Sequence, residues 1–216
     1  LALLAGTVTA VIQELPLTMA PDSFDDQYLN CHQRMLAALP ALNRSEFRSN
    51  PLFARVWGRA AAATPPVWSP LGRWEEAVAL RAYTMMDDGL YQGFNAAVRG
   101  GGGSRRRYLD RFHYKVLHFL LTAALRDLRK ALPASLCLHT YRGFSGTRFT
   151  ARPGQQMRFG HFVSGSSDQS LAKRFGNDTI FEVWSCHGAP VWGFSDMPHQ
   201  NEFLIPPFET FTVTAV

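Results

Sequence analysis

The feature that most constrains this chain is a change of pattern at Pro133. Before it, apolar residues recur at helical spacing. After it come short runs rich in β-branched and aromatic residues, Leu138 to Arg142, Met157 to Ser164, Thr179 to Cys186, Pro190 to Phe194, Phe203 to Ile205 and Phe208 to Ala215. Gly, Ser and Pro punctuate these runs, as expected of strands and turns, and one short helix is expected at about 168 to 175. Helices segregated before strands define an α+β chain. With 216 residues, of which 46% are hydrophobic and 12% aromatic, it has enough apolar material for one large core.

Within the first half, Asp22 and Ser23 suit a helix start with Asp25 and Asp26 in its first turn and its end at Pro40. Pro51 suits the first position of a helix over 52 to 63, and further helices are expected at 73 to 85 and 94 to 99. The longest periodic stretch, with Tyr108, Phe112, Val116, Phe119, Leu120, Ala123 and Ala124 on one face, predicts one buried helix from about Arg105 to Leu132. His113 and His118 are five apart, not the four that places two ligands on one helical face, so they are read as structural and no metal is expected. The net charge of +5 allows an acidic partner such as a phosphate-bearing small molecule, nucleic acid or an anionic surface, and does not by itself choose among them. Arg105-Arg106-Arg107 is read as a solvated loop rather than a nucleic-acid site.

Residues 1–16 read as a signal-peptide remnant and leader, too short to span a bilayer, so the chain is expected to begin inside a precursor. No later transmembrane segment is expected. The sequons Asn43-Arg44-Ser45 and Asn177-Asp178-Thr179 point the same way, to a secreted glycoprotein. Cys137 and Cys186 flank expected core strands and are predicted to form a disulfide, leaving Cys31 with a partner beyond Val216.

Three positions in the β half carry chemistry. Tyr141-Arg142-Gly143 ends a strand with a guanidinium beside a glycine, where a phosphate or carboxylate can approach closely. Ser164 opens a hydroxyl cluster, Ser164-Gly165-Ser166-Ser167, at another strand end. Glu202 stands at the head of an apolar run, a costly place for a carboxylate unless it is paired or used. An Arg, a Ser and a Glu at strand ends of one small sheet system can converge on one cleft.

Those residues, with Ser23-Phe24-Asp25-Asp26-Gln27-Tyr28, Ala37-Ala38-Leu39-Pro40, Ala82-Tyr83-Thr84, Phe94-Asn95-Ala96-Ala97-Val98-Arg99, Leu117-His118-Phe119-Leu120-Leu121-Thr122 and Leu204-Ile205-Pro206-Pro207-Phe208-Glu209-Thr210-Phe211, resemble the vertebrate ecto-type arginine-specific mono-ADP-ribosyltransferases, over nearly the whole chain after Leu17. The resemblance implies a single domain over 17–216, helical over 17–133 and β over 134–216, lacking a C-terminal part, with a mixed β-sandwich of two small sheets around an NAD cleft. It implies that Arg142 holds the NAD phosphates, Ser164 steadies the ribose and the glutamate, and Glu202 is the catalytic glutamate. Tyr83 and Ser195 match positions lining the NAD site, and Gly143 one whose backbone meets the nicotinamide amide. It also pairs the cysteines matching Cys137 and Cys186, and ties the one matching Cys31 to a later cysteine.

Such an enzyme uses NAD, with NADP as a further candidate, and an acceptor protein bearing arginine or another side chain. It would reach the extracellular space or cell surface, where the family includes glycolipid-anchored members. Breaking the bond from nicotinamide to ribose develops positive charge on the sugar, which a fixed carboxylate stabilises. One departure concerns the acceptor: the family's Glu-x-Glu reads Gln200-Asn201-Glu202 here, and Gln lacks the charge that favours a guanidinium. Water as the acceptor, which makes the chain an NAD glycohydrolase, is therefore the alternative, with a non-catalytic secreted interaction module as a third reading.

Overall fold

A computed structural model describes residues 12–85 and 89–216, apart from the side chain of Gln200. The first eleven residues of the expected leader lie outside the described residues; Gln13–Pro16, grouped with the leader by sequence, form β1 and pair in parallel with Thr147–Thr150 (β3).

The helices of the first half are α1 (His32–Ser49), α2 (Pro51–Ala63), α3 (Trp74–Thr84), α4 (Leu90–Gly101), α5 (Arg105–Arg111) and α6 (Lys115–Lys130). Local chemistry starts several of them. Asn50 caps α2 by accepting the Phe53 N–H at 3.0 Å with Pro51 at the first position, and Ser104 caps α5 by accepting the Arg107 N–H at 3.1 Å.

Two stretches of the helical half differ most from the sequence reading. The first helix starts at His32 rather than after Ser23, because Asp26 accepts the Tyr28 N–H at 2.8 Å and Tyr28 takes a left-handed φ of 57°. That turn buries the Tyr28 ring and brings its hydroxyl to 2.8 Å from His118 Nδ1. The helix then runs through Pro40 to Ser49. Tertiary anchoring overrides the proline, whose cost inside a helix is about 3 kcal/mol: Glu46, 3% exposed, accepts the open N–H groups of Lys115 at 2.7 Å and Val116 at 3.0 Å. The same bonds explain the second difference, the division of the expected 105–132 helix into α5 and α6. Phe112 leaves helical geometry (φ −89°, ψ 86°) and buries its ring, and the new helix N-terminus docks on the Glu46 carboxylate.

Residues 76–80 and 82–84 of α3 are all buried, so this helix is covered around most of its circumference and forms the centre of the helical body with α2 and α6. His118 is fully buried and fixed between Tyr28 and the Phe24 carbonyl, 2.9 Å from its Nε2.

The second half is built on a five-stranded antiparallel sheet, with order β6 (Thr179–Ser185), β2 (Leu138–Phe144), β5 (Val163–Ser166), β8 (Glu202–Ile205) and β7 (Ala189–Pro190). A two-stranded pair, β4 (Gln156–Met157) with β9 (Phe211–Thr212), lies beside it. Phe159, Phe181 and Phe211 pack on Val163, Val183 and Ile205 as a second small core.

The expected 157–164 strand breaks at Gly160 (φ +67°), whose carbonyl accepts the Ser23 hydroxyl at 2.8 Å. The expected 208–215 strand shrinks to Phe211–Thr212 because Glu209 folds back, accepting the N–H groups of Cys186 (2.6 Å) and His187 (3.0 Å) and the Ser185 hydroxyl (2.6 Å). That carboxylate fixes the loop beside the Cys137–Cys186 disulfide, which is formed as the sequence predicts.

Candidate active site

The cleft opens where the sheet splits. β2 pairs with β6 over seven positions but with β5 only at Tyr141 and Ser166, so the central strands diverge beyond that point. β5 and β8 stay in register over four pairs, which sets Ser166 opposite Glu202 and Ser164 opposite Leu204. Asn201, in a left-handed conformation (φ 46°), turns the chain from the Pro198–Gln200 turn into β8 and delivers Glu202 to the cleft.

Glu202 is 7% exposed and both of its oxygens are used: Ser164 Oγ donates to Oε1 at 2.6 Å and Ser195 Oγ to Oε2 at 3.1 Å. Burial raises the carboxyl above the usual range; the two hydroxyls and the field of Arg142 oppose that rise. The result is a buried, oriented carboxylate with no basic side chain hydrogen-bonded to it among the described residues.

Arg142 is held from three directions. Nη1 donates to the Ser164 carbonyl at 3.2 Å and Nη2 to the Tyr91 hydroxyl at 3.1 Å, while the guanidinium lies 5.2 and 5.6 Å from the Phe144 and Phe175 ring centres. Its buried Nε has no hydrogen-bond partner among the described residues. His161, its Nδ1 2.6 Å from the Phe159 carbonyl, is pushed down to about 3 by burial and by the fields of Arg99 and Arg142, so a neutral imidazole sits beside the positive cleft wall.

Tyr83, Arg142, Ser164 and Glu202 all line this cleft, with Thr84, Tyr91, Tyr141 and Phe175. Tyr83 contributes its ring: the hydroxyl is committed to the Phe162 carbonyl at 2.9 Å and accepts from Asn95 at 3.1 Å. Ser195 is buried behind Glu202 and also accepts the Met197 N–H at 3.0 Å, so it reaches the cleft through that carboxylate. Gly143 presents its α-carbon to α7 (Gln169–Arg174): an added Cβ would fall 2.2 Å from the Gly176 carbonyl and 2.4 Å from that of Ala172. Gln200 closes the turn two residues before Glu202.

Sequence reasoning missed Tyr91, Phe175 and Thr84. Tyr91 lies on the first turn of α4, ahead of the helix read from the sequence, and Phe175 is a half-buried aromatic that ends the expected 168–175 helix with no polar signal beside it. Thr84 stood inside a recognised block, but its acceptance of the Asp196 N–H at 2.9 Å, which ties the Ser195 loop to α3, crosses 112 residues of sequence.

Residues 17–216 match the family model for NAD:arginine ADP-ribosyltransferase. The chain is 49% identical over 216 residues to the GPI-linked NAD(P)(+)–arginine ADP-ribosyltransferase 1 of Mus musculus, covering 93% of this chain and 65% of that protein. It is 44% identical over 214 residues to NAD(P)(+)–arginine ADP-ribosyltransferase 2 of Gallus gallus, covering 97% of this chain and 66% of that one. In three dimensions it superposes with a TM-score of 0.80 on a mutant of the eukaryotic mono-ADP-ribosyltransferase ART2.2 in complex with NAD, at 32% identity, covering 94% of this chain and 89% of that chain. An α+β body with half-buried Arg142 and Ser164 grouped around a buried Glu202 at a split sheet is the class that fold and site define. The chain belongs to the NAD:arginine ADP-ribosyltransferase family.

Proposed function

We propose that the chain cleaves NAD in the Arg142–Ser164–Glu202 cleft and transfers ADP-ribose to an arginine side chain of an acceptor protein, releasing nicotinamide. The observation that carries this is Glu202, buried, hydrogen-bonded through both oxygens by Ser164 and Ser195, and within the field of Arg142.

As the bond between C1′ and the nicotinamide nitrogen breaks, its electron pair leaves with nicotinamide and positive charge develops on the ribose. The Glu202 carboxylate, already buried and oriented, stabilises that charge; removing a preorganised group of this kind typically costs about a hundredfold or more in rate. The acceptor nitrogen then bonds to C1′ and gives up a proton. Arg142, packed against two aromatic rings and lining the cleft, is suited to an anionic phosphate, and Tyr83 and Tyr91 offer ring surface to the bound nucleotide. Glu202 acts as catalytic glutamate and Ser195 as its positioning residue. The backbone of Gly143, held against α7, supports the nicotinamide amide. The mouse relative's GPI linkage supports a location at the cell surface. Among the described residues no helix is long and apolar enough to cross a membrane.

Gln200 favours a second reading, hydrolysis of NAD with water as acceptor, since a neutral amide attracts a guanidinium less than a carboxylate does. Labelled NAD with agmatine separates the readings: labelled agmatine supports transfer, free ADP-ribose alone supports hydrolysis, and absence of both sinks catalysis. If Gln200 limits transfer, Gln200→Glu raises agmatine labelling, and an unchanged yield removes that explanation.

A further inference from the structure

The register that sets Ser166 opposite Glu202 continues across the sheet. Ser166 faces Tyr141, and Tyr141 faces Glu182 on β6, so a second carboxylate ends the same row at an outer strand of the sheet. Around Glu182 lies a solvent-facing cluster that cleft chemistry does not use. Trp184 is 56% exposed, and the His139 ring, its register partner, stacks on it at 4.5 Å and 16°. Glu182 Oε1 lies 2.8 Å from His139 Nε2 and accepts the Tyr141 hydroxyl at 3.5 Å. These contacts fix the carboxylate and the indole side by side, and Tyr141 makes the cluster continuous with the cleft wall. The cation–π contacts of the described residues involve Tyr108, Phe144 and Phe175, which leaves the Trp184 ring without a lysine or arginine over it.

An exposed carboxylate beside an aromatic face complements one side chain better than any other. Guanidinium is planar, stacks on an indole and bonds a carboxylate through its fork, and is less strongly hydrated than ammonium. Three inter-strand steps of about 4.8 Å separate the Glu182 and Glu202 positions by about 14 Å along the sheet, a span that an extended peptide covers in about four residues.

We propose that the Trp184–Glu182–His139 face docks the acceptor polypeptide through a second arginine, about four residues from the arginine that enters the cleft. This rests on the transferase reading for its biological use, but the docking itself is a binding event that can be measured without turnover. A small acceptor such as agmatine is too short to touch both places, so the face selects among polypeptides without altering NAD cleavage.

The test uses a fluorescent peptide with two arginines four residues apart, and a twin in which one arginine is replaced by citrulline, its neutral isostere. Affinity for the full chain is measured by anisotropy for wild type, Trp184→Ser and Glu182→Gln, with melting curves to establish that each variant folds. The expected result is that each variant binds the two-arginine peptide about tenfold more weakly, that wild type discriminates against the citrulline twin by a similar factor, and that the variants no longer discriminate. Equal affinities within twofold, or no detectable binding to wild type, overturn the proposal. So does wild-type dimerisation that Trp184→Ser abolishes, which assigns the face to a second copy of the chain. Agmatine labelling, run in parallel, is expected to be the same in all three proteins. Its loss in wild type as well would sink the transferase reading while leaving the peptide result to judge the docking face alone.

Discussion

At the scale of the residue, the site is governed by one carboxylate and the groups that keep it ionised. In the proposed mechanism Glu202 acts only when deprotonated, and burial holds its folded-state value above normal, so activity is expected to rise with pH through a midpoint above the ordinary carboxylate range. Ser164 and Ser195 pull in the opposite direction. Ser164→Ala removes one of these stabilising bonds, raises the midpoint further and moves the acid limb of the pH–rate profile to higher pH; a limb that stays in place contradicts the assigned role. Arg142, Ser164 and Glu202 entered the sequence reading as a guanidinium beside a glycine, the first of a hydroxyl cluster and a carboxylate at the head of an apolar run, and the family resemblance supplied their roles. Tyr91, Phe175 and the committed hydroxyl of Tyr83 were not legible in sequence. Their partners lie on other elements, and an aromatic residue at helical spacing carries no sign of which polar group it will meet.

At the scale of the element, two buried contacts decide whether the scaffold stays in place. Glu46 joins α1 to the N-terminus of α6, and Glu46→Ala leaves the Lys115 and Val116 N–H groups without their acceptor in a buried setting. An expected cost of about 2 kcal/mol follows from the usual range for unsatisfied buried donors; an unchanged urea midpoint would show that α6 is anchored otherwise. Gly143→Ala drives a methyl group into the Ala172 and Gly176 carbonyls. It is expected to displace α7, lowering both melting temperature and NAD affinity, and undiminished values of both would place α7 farther from β2. The sequence showed α2, α3 and α7 closely, since Pro51, the acidic first turn of α3 and Asp168 are local signals. It misplaced the start of α1 and the division between α5 and α6, because both depend on long-range partners, His118 for Tyr28 and Glu46 for residues 115 and 116.

At the scale of the whole molecule, the helical body and the sheet are joined around the cleft, and the β half is tied by the Cys137–Cys186 bridge, which closes a loop with a sequence separation of 49. Loop-closure entropy for that length contributes about 4 kcal/mol in the chain-entropy model, so Cys137→Ala with Cys186→Ala is expected to lower the melting temperature markedly. Global stability should also depend on pH through Glu76, 2% exposed, whose carboxyl shares the Gly72 N–H with Asp127 and is raised to about 7 by burial and by Asp127. Between the ordinary 4.5 and about 7 the folded state binds more protons than the unfolded one, so stability falls as pH rises across that window. Glu76→Gln has no proton to lose and should flatten the fall when denaturant midpoints are compared from acid to neutral pH.

The central claim is that one buried carboxylate drives NAD cleavage, and nicotinamide release from NAD by wild type and Glu202→Gln tests it most directly. The variant keeps the shape of the side chain, loses its charge and exchanges one of the two acceptor oxygens for an NH2 donor, so with folding checked by its melting curve it should release nicotinamide at least about a hundredfold more slowly. Release at an undiminished rate by the folded variant would contradict the account.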